Sequence, residues 1–147
     1  MLIQGSCHCE NIAFELDWPG EGASVPARAC TCSFCVKHGG VWTAHSDARL
    51  RIRIADADRT SSYAFGTGTA AFHVCTRCGA VPVATSDIDG ARYAVVNVNT
   101  FDDFERSRLT TETVSFDGEG EADRVTRRAA RWIGHVEIDY QDAAFVA

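Results

Sequence analysis

Seven cysteines fall in three close groups, and this spacing restricts what the chain can fold into more than any other feature. Cys7 and Cys9 form C-x-C, Cys30, Cys32 and Cys35 form C-x-C-x-x-C, and Cys75 and Cys78 form C-x-x-C. Close pairs put two sulfurs on the same side of a tight turn. That geometry suits tetrahedral zinc, whose sulfur ligands lie about 2.3 Å from the metal. An odd number of thiols cannot all pair as disulfides within one chain, but seven divides into four plus three. The pairs Cys7/Cys9 and Cys75/Cys78 make a closed four-ligand site that stabilises folding. The triplet Cys30, Cys32 and Cys35 makes an open site with a position left for water or substrate, which is how catalytic zinc differs from structural zinc. Joining Cys7/Cys9 to the triplet instead leaves Cys75/Cys78 with too few ligands. Two further readings stay open. Cys35 forms a reversible disulfide with Cys30 or Cys32, or a single member is only a small buried core residue.

The chain has 147 residues, a normal size for one domain spanning 1–147. Its net charge of -6 disfavours nucleic acid and anionic membrane as partners. No apolar run is long enough to cross a bilayer. Residues 1–9 carry neither a basic flank nor an apolar core of the secretory kind, so a cytoplasmic protein is expected. Thiols are kept reduced there, which favours metal over disulfides at these spacings.

The remaining pattern is mainly β. Ile12, Phe14 and Leu16 alternate with Ala13 and Glu15, as Leu50, Ile52 and Ile54 do with Arg51 and Arg53. Residues 41–45, 72–74, 81–85, 93–98 and 136–140 also read as strands, and residues 17–26 as a loop. Thr100 is placed to cap a short helix through Phe101 and Phe104. A longer helix is expected over 123–133, capped by Asp123, with Val125, Ala129, Trp132 and Ile133 on its buried face.

Gly5-Ser6-Cys7-His8-Cys9, Cys30-Thr31-Cys32-Ser33-Phe34-Cys35, Phe72-His73-Val74-Cys75-Thr76-Arg77-Cys78-Gly79 and Val98-Asn99-Thr100-Phe101-Asp102-Asp103 together resemble the glutathione-dependent formaldehyde-activating enzymes, a family that includes centromere protein V. The resemblance covers roughly residues 5–105. It implies a β-tent, small antiparallel sheets with short helices joined around a structural zinc held by Cys7, Cys9, Cys75 and Cys78. It implies a second, catalytic zinc on Cys30, Cys32 and Cys35. The implied activity is that of a carbon–sulfur lyase or synthase, joining glutathione or another small thiol to formaldehyde or a related aldehyde. The competing expectation is a zinc-stabilised module that carries a thiol or binds a protein without turnover. Beyond Thr110 the chain lacks the family's His-Ile and terminal Lys-x-x-Trp features and carries a basic stretch at 124–131 instead. Where that tail closes the substrate site, the choice of glutathione changes with it.

Other residues near the triplet have plainer explanations. His38 is expected to be a loop histidine beside the site rather than a fourth ligand or general acid. Ser33 either bonds a thiolate or substrate, or only shapes the turn. Arg28 and Lys37 either meet substrate carboxylates or offset thiolate charge. Trp42 and Phe34 are expected in the core. Arg124, Arg127, Arg128 and Arg131 form a row along the expected helix and are read as a solvated face.

Overall fold

The computed structural model describes residues 1–21 and 24–141. In chain order the elements are β1 (Leu2–Ser6), β2 (Ile12–Asp17), β3 (Val25–Cys30), α1 (Ser33–His38), β4 (Val41–Thr43) and β5 (Arg49–Ile54). They continue with β6 (Thr60–Tyr63), β7 (Ala71–Cys75), β8 (Val83–Ile88), β9 (Ala91–Asn97), β10 (Phe101–Asp102), β11 (Leu109–Val114), α2 (Glu121–Arg131) and β12 (His135–Tyr140). One sheet runs β10-β1-β2-β5-β12 and the other β11-β3-β4-β9-β8-β7-β6. The protein is therefore mainly β, two small sheets with few short helices, as the sequence leads one to expect. Most neighbours are antiparallel. The late strands β11 and β12 join as parallel edges, on β3 and β5 respectively.

The period-2 alternation seen in the sequence decides which faces meet. Ile12, Phe14 and Leu16 of β2 lie opposite Ile54, Ile52 and Leu50 of β5. All six are at most 2% exposed. Burying each such side chain contributes about 1.5–3 kcal/mol. The alternate residues face outward, where Arg53 meets Glu15 at 3.5 Å and Arg51 meets Glu137 at 3.4 Å. These pairs are solvent-screened and add at most about 1 kcal/mol; they mark the outer face rather than hold it.

Gly5 lies opposite Phe14 in the β1–β2 ladder. A Cβ added at Gly5 would run into the Phe14 ring, which is itself 1% exposed and has nowhere to move. Gly5→Ala is therefore expected to destabilise by about 1–3 kcal/mol, the usual cost of overpacking. Thermal denaturation followed by circular dichroism should show a melting temperature lowered by roughly 3–10 °C; an unchanged one contradicts this packing.

Several expectations shift in detail. The loop expected over 17–26 is shorter, because β2 runs through Asp17 and β3 starts at Val25; positions 22 and 23 lie outside the described residues. The short helix expected after Thr100 is instead a 3-10 turn over Val98–Thr100, followed by β10. The longer helix starts at Glu121 and ends at Arg131, with Gly120 at its N-cap and Asp123 inside its first turn.

Candidate active site and metal centres

The four outer cysteines meet where the two sheets meet. Cys7 and Cys9 follow β1 of one sheet, and Cys75 ends β7 of the other. Each pair sits in a tight turn. In the first, Glu10 N–H donates to the Cys7 carbonyl at 3.0 Å and Cys7 N–H to that of Ile12 at 2.8 Å. In the second, Gly79 N–H donates to the Cys75 carbonyl at 2.8 Å. Gly79 has φ +82, a conformation that glycine adopts without strain and that the turn requires.

The four Sγ atoms all lie within 4.8 Å of one another. Cys7 and Cys9 sulfurs are 3.8 Å apart, and Cys9 and Cys75 sulfurs 3.4 Å. Tetrahedral thiolates around zinc have edges of about 3.8 Å by the same bond length. Backbone donors point inward too, with Ile12 N–H 3.3 Å from Cys7 Sγ. Burial pushes the Cys7 thiol up to about 12, against the pull of that N–H. Burial also acts to raise Cys78, but the Ala80 and Cys9 backbone N–H groups and the neighbouring thiols bring it down to about 6. Such a crowded quartet holds four negative charges only around a cation, so the donor set fits a metal ion.

The triplet is built by a strand end and the first turn of a helix. Cys30 closes β3, Cys32 is the N-cap of α1, and Cys35 lies within α1. The Cys32 sulfur accepts from Cys35 N–H at 3.4 Å. Gly39 stops the helix in the left-handed conformation, φ +77, with its N–H on the Cys35 carbonyl. These three Sγ atoms also lie within 4.8 Å of one another. The Cys35 thiol donates to Cys30 and, with the backbone N–H and sulfur of Cys32, draws Cys30 down to about 5 despite its burial. That same bond, together with burial, pushes Cys35 up. Three sulfurs so placed offer a tetrahedral metal three of its four ligands.

Trp42 donates its indole N–H to Cys35 Sγ at 3.4 Å. The expectation that Trp42 is core holds, since it is 6% exposed. It is also an outer-shell partner of a sulfur, which sequence reading missed. Trp42→Phe keeps the ring and removes the donor. Loss of such a partner is expected to weaken metal binding at the triplet by roughly 10–100-fold, measured by competition with a chromophoric chelator. Unchanged affinity would show that the bond is incidental.

A cavity of about 290 Å³ opens on Cys30, Cys32 and Cys35. Its walls are Trp42, Phe65, Phe72, Val95, Phe116 and Trp132, with Arg28, Arg124, Arg127 and Arg128 beside them. This corrects the reading as a solvated face for Arg124, Arg127 and Arg128, while Arg131 is exposed as expected. Arg128 is 6% exposed, while Ala129, expected on the buried face, is exposed. The helix turns Arg124, Arg127 and Arg128 inward because their stems and planar heads find aromatic and polar partners. Arg127 stacks on Phe116 at 3.7 Å and grips Glu119 with two bonds of 2.9 and 3.0 Å. Arg128 lies over Trp132 at 5.0 Å and donates to Thr69 Oγ1 at 2.7 Å. The signal in the sequence was a tryptophan four residues after Arg128, on the same helical face.

The other candidates separate. Arg28 lines the cavity, and burial lowers its pKa with help from Arg127 and Arg131. Lys37 and Ser33 are exposed and are not among the lining residues. His38 is outside the sulfur cluster and packs on Phe34 at 4.3 Å, as a neighbouring histidine should. Phe34 joins His38, Tyr63, Phe65 and Phe72 in one aromatic group beside the cavity. Asn99, in the fourth motif, ties α1 down by donating to the Gly39 carbonyl at 2.7 Å.

Among the described residues no helix is long and apolar enough to cross a membrane. No curated protein matches the chain. A Rhodobacter sphaeroides protein of known crystal structure is similar over 76% of this chain and 99% of its own, at 27% identity and a TM-score of 0.55. The model of the glutathione-dependent formaldehyde-activating enzymes matches residues 2–116, which includes all seven cysteines and ends before α2. By that match the chain belongs to the glutathione-dependent formaldehyde-activating enzyme family.

Proposed function

We propose that this protein is a zinc-dependent carbon–sulfur lyase or synthase that joins a small thiol to formaldehyde or a related aldehyde. One observation carries the reading: in a chain of this family, all three sulfurs of the triplet line one aromatic-walled cavity, while the other four already make a full tetrahedral ligand set. Cys7, Cys9, Cys75 and Cys78 would hold a structural zinc, and Cys30, Cys32 and Cys35 a catalytic one. All-sulfur donor sets of this size favour zinc over the hard cations. Zinc on the triplet would favour the thiolate form of a substrate thiol at neutral pH.

The chain's own groups account for the rest. The Trp42 indole N–H holds Cys35, and the Cys35 N–H holds Cys32, so the cluster is fixed before substrate arrives. Arg28 and Arg124 stand beside Cys30 and offset the negative charge that three thiolates leave around a divalent ion. The aromatic walls exclude water from the sulfur. In the reaction the thiol S–H proton leaves to solvent and a C–S bond forms to the carbonyl carbon. The C=O π pair moves to oxygen, which takes a proton from water, and the product is a hydroxyalkyl thioether. The reverse sequence releases aldehyde. Thiols at these spacings stay reduced in a reducing compartment, which supports a cytoplasmic location.

Exchange NMR spectroscopy on a thiol, formaldehyde and their adduct tests the reading. Catalytic amounts of zinc-loaded protein are expected to raise the interconversion rate in proportion to protein concentration. No acceleration with any thiol tried would leave a binding module and overturn the enzyme reading.

A further inference from the structure

Gly39 and Gly40 join α1, which carries Cys35, to β4, which carries Trp42. This link runs directly against the indole. A Cβ added at Gly40 would come within 2.8 Å of Trp42 Nε1 and 2.7 Å of the His38 ring. On the helix side the link is fixed, since Gly39 N–H and Gly40 N–H both donate to the Cys35 carbonyl at 2.9 Å. Two asparagines hold it from the other side. Asn99 Nδ2 donates to the Gly39 carbonyl at 2.7 Å, and Asn97 Oδ1 accepts from Val41 N–H at 3.3 Å. Asn97 is 4% exposed and lies opposite Trp42 in the β4–β9 ladder. Its Oδ1 also accepts from Asn99 N–H at 3.1 Å, and its Nδ2 donates to the Val81 carbonyl at 3.1 Å. These partners allow one amide orientation, because the flipped amide would set N–H against N–H and oxygen against oxygen. Val81 lies three residues past Cys78, so this clamp is anchored on the turn of the four-sulfur cluster. Asn99 is anchored in turn by Arg106, whose Nη2 donates to its Oδ1 at 2.9 Å.

Resting on the proposed metal role of the triplet, we infer that Asn97 and Asn99 are positioning residues for that site and act through Trp42. Neither asparagine lines the cavity at the triplet or belongs to a sulfur cluster, so contact with substrate or metal is not the means. Holding both ends of the link sets where the indole N–H stands relative to Cys35 Sγ, 3.4 Å away. Affinity at a metal site depends on such outer partners being aimed at the ligand before the ion arrives.

A double-mutant cycle on zinc affinity tests the clamp without turnover. Zinc bound at the triplet is titrated against a chromophoric chelator in the unaltered protein, Asn97→Leu, Trp42→Phe and the double variant. Asn97→Leu is expected to weaken the triplet by about tenfold, the low end for loss of an outer partner. In the Trp42→Phe background, where the indole donor is already gone, the same change is expected to cost less than about twofold. An equal loss in both backgrounds is what a merely structural asparagine would give, and it overturns the inference; so does no loss in either. Asn99→Ala, at an exposed position, runs the same cycle with the same expected pattern and decides the matter where Asn97→Leu does not fold. The exchange experiment keeps the two readings apart. Loss confined to the Trp42 background, with no acceleration by the unaltered protein, keeps the clamp and overturns the enzyme. Acceleration together with equal losses keeps the enzyme and overturns the clamp.

Discussion

Cys75→Ser is expected to abolish the cooperative fold at 25 °C or to lower the melting temperature by more than about 15 °C. Cys75 is fully buried at the end of β7, and its sulfur lies 3.4 Å from that of Cys9, which belongs to the other sheet's first turn. The cluster therefore joins the two sheets at a point where only short turns lead in. Structural zinc in small domains supplies about 10–16 kcal/mol of folding free energy. A whole domain of this kind is stable by only about 5–15 kcal/mol. Serine is a poor ligand, and it leaves three thiols crowded in a buried place without their cation. Melting followed by circular dichroism checks the outcome, and a strong chelator added to the unaltered protein should reproduce it. A Cys75→Ser variant that melts as the unaltered protein does would show that the closed site is not what holds the sheets together.

Cys32→Ser is expected to do the opposite, keeping the fold and losing the chemistry. Cys32 is the N-cap of α1, where its sulfur accepts the Cys35 N–H. Serine is among the best N-cap residues, so the cap survives the substitution. α1 is six residues long and lies at the cavity, not between the sheets. A melting temperature within about 5 °C of the original is expected, consistent with a change that keeps a helix cap. Turnover should fall by at least about 100-fold, because two sulfurs hold a catalytic metal far less firmly than three. A variant that unfolds as Cys75→Ser does would make both clusters structural.

Much of this architecture was legible because alternation and cysteine spacing are local signals. The strands carrying Ile12, Phe14, Leu16 and Leu50, Ile52, Ile54 declare their buried face residue by residue. Two of the strands that escaped notice, β1 and β11, lack that signal. β1 alternates into Gly5, which has no side chain to show, and β11 is a polar, largely exposed edge held by its neighbour β3. α1 is too short to display a helical stripe, so Cys32 and Cys35 read only as a close pair in a turn. The arginines of α2 were misplaced for a different reason. Charge normally marks the solvent face, and only the aromatic partners Phe116 and Trp132, with Glu119 and Thr69, make the inner face the better one. Which cysteines come together was open to reasoning from number and spacing. What surrounds the triplet was not, since its walls come from strands, a loop and a helix far apart in the chain.

As proposed above, the two sulfur clusters are separate metal sites of unequal role. Metal content per chain, measured by inductively coupled plasma mass spectrometry on protein purified under reducing conditions, tests it most directly. The unaltered protein is predicted to hold about two zinc ions per chain and the folded Cys32→Ser variant about one, by the ligand sets assigned above. One zinc in both, with Cys30 or Cys32 oxidised to Cys35, would contradict the claim and make the triplet a redox site.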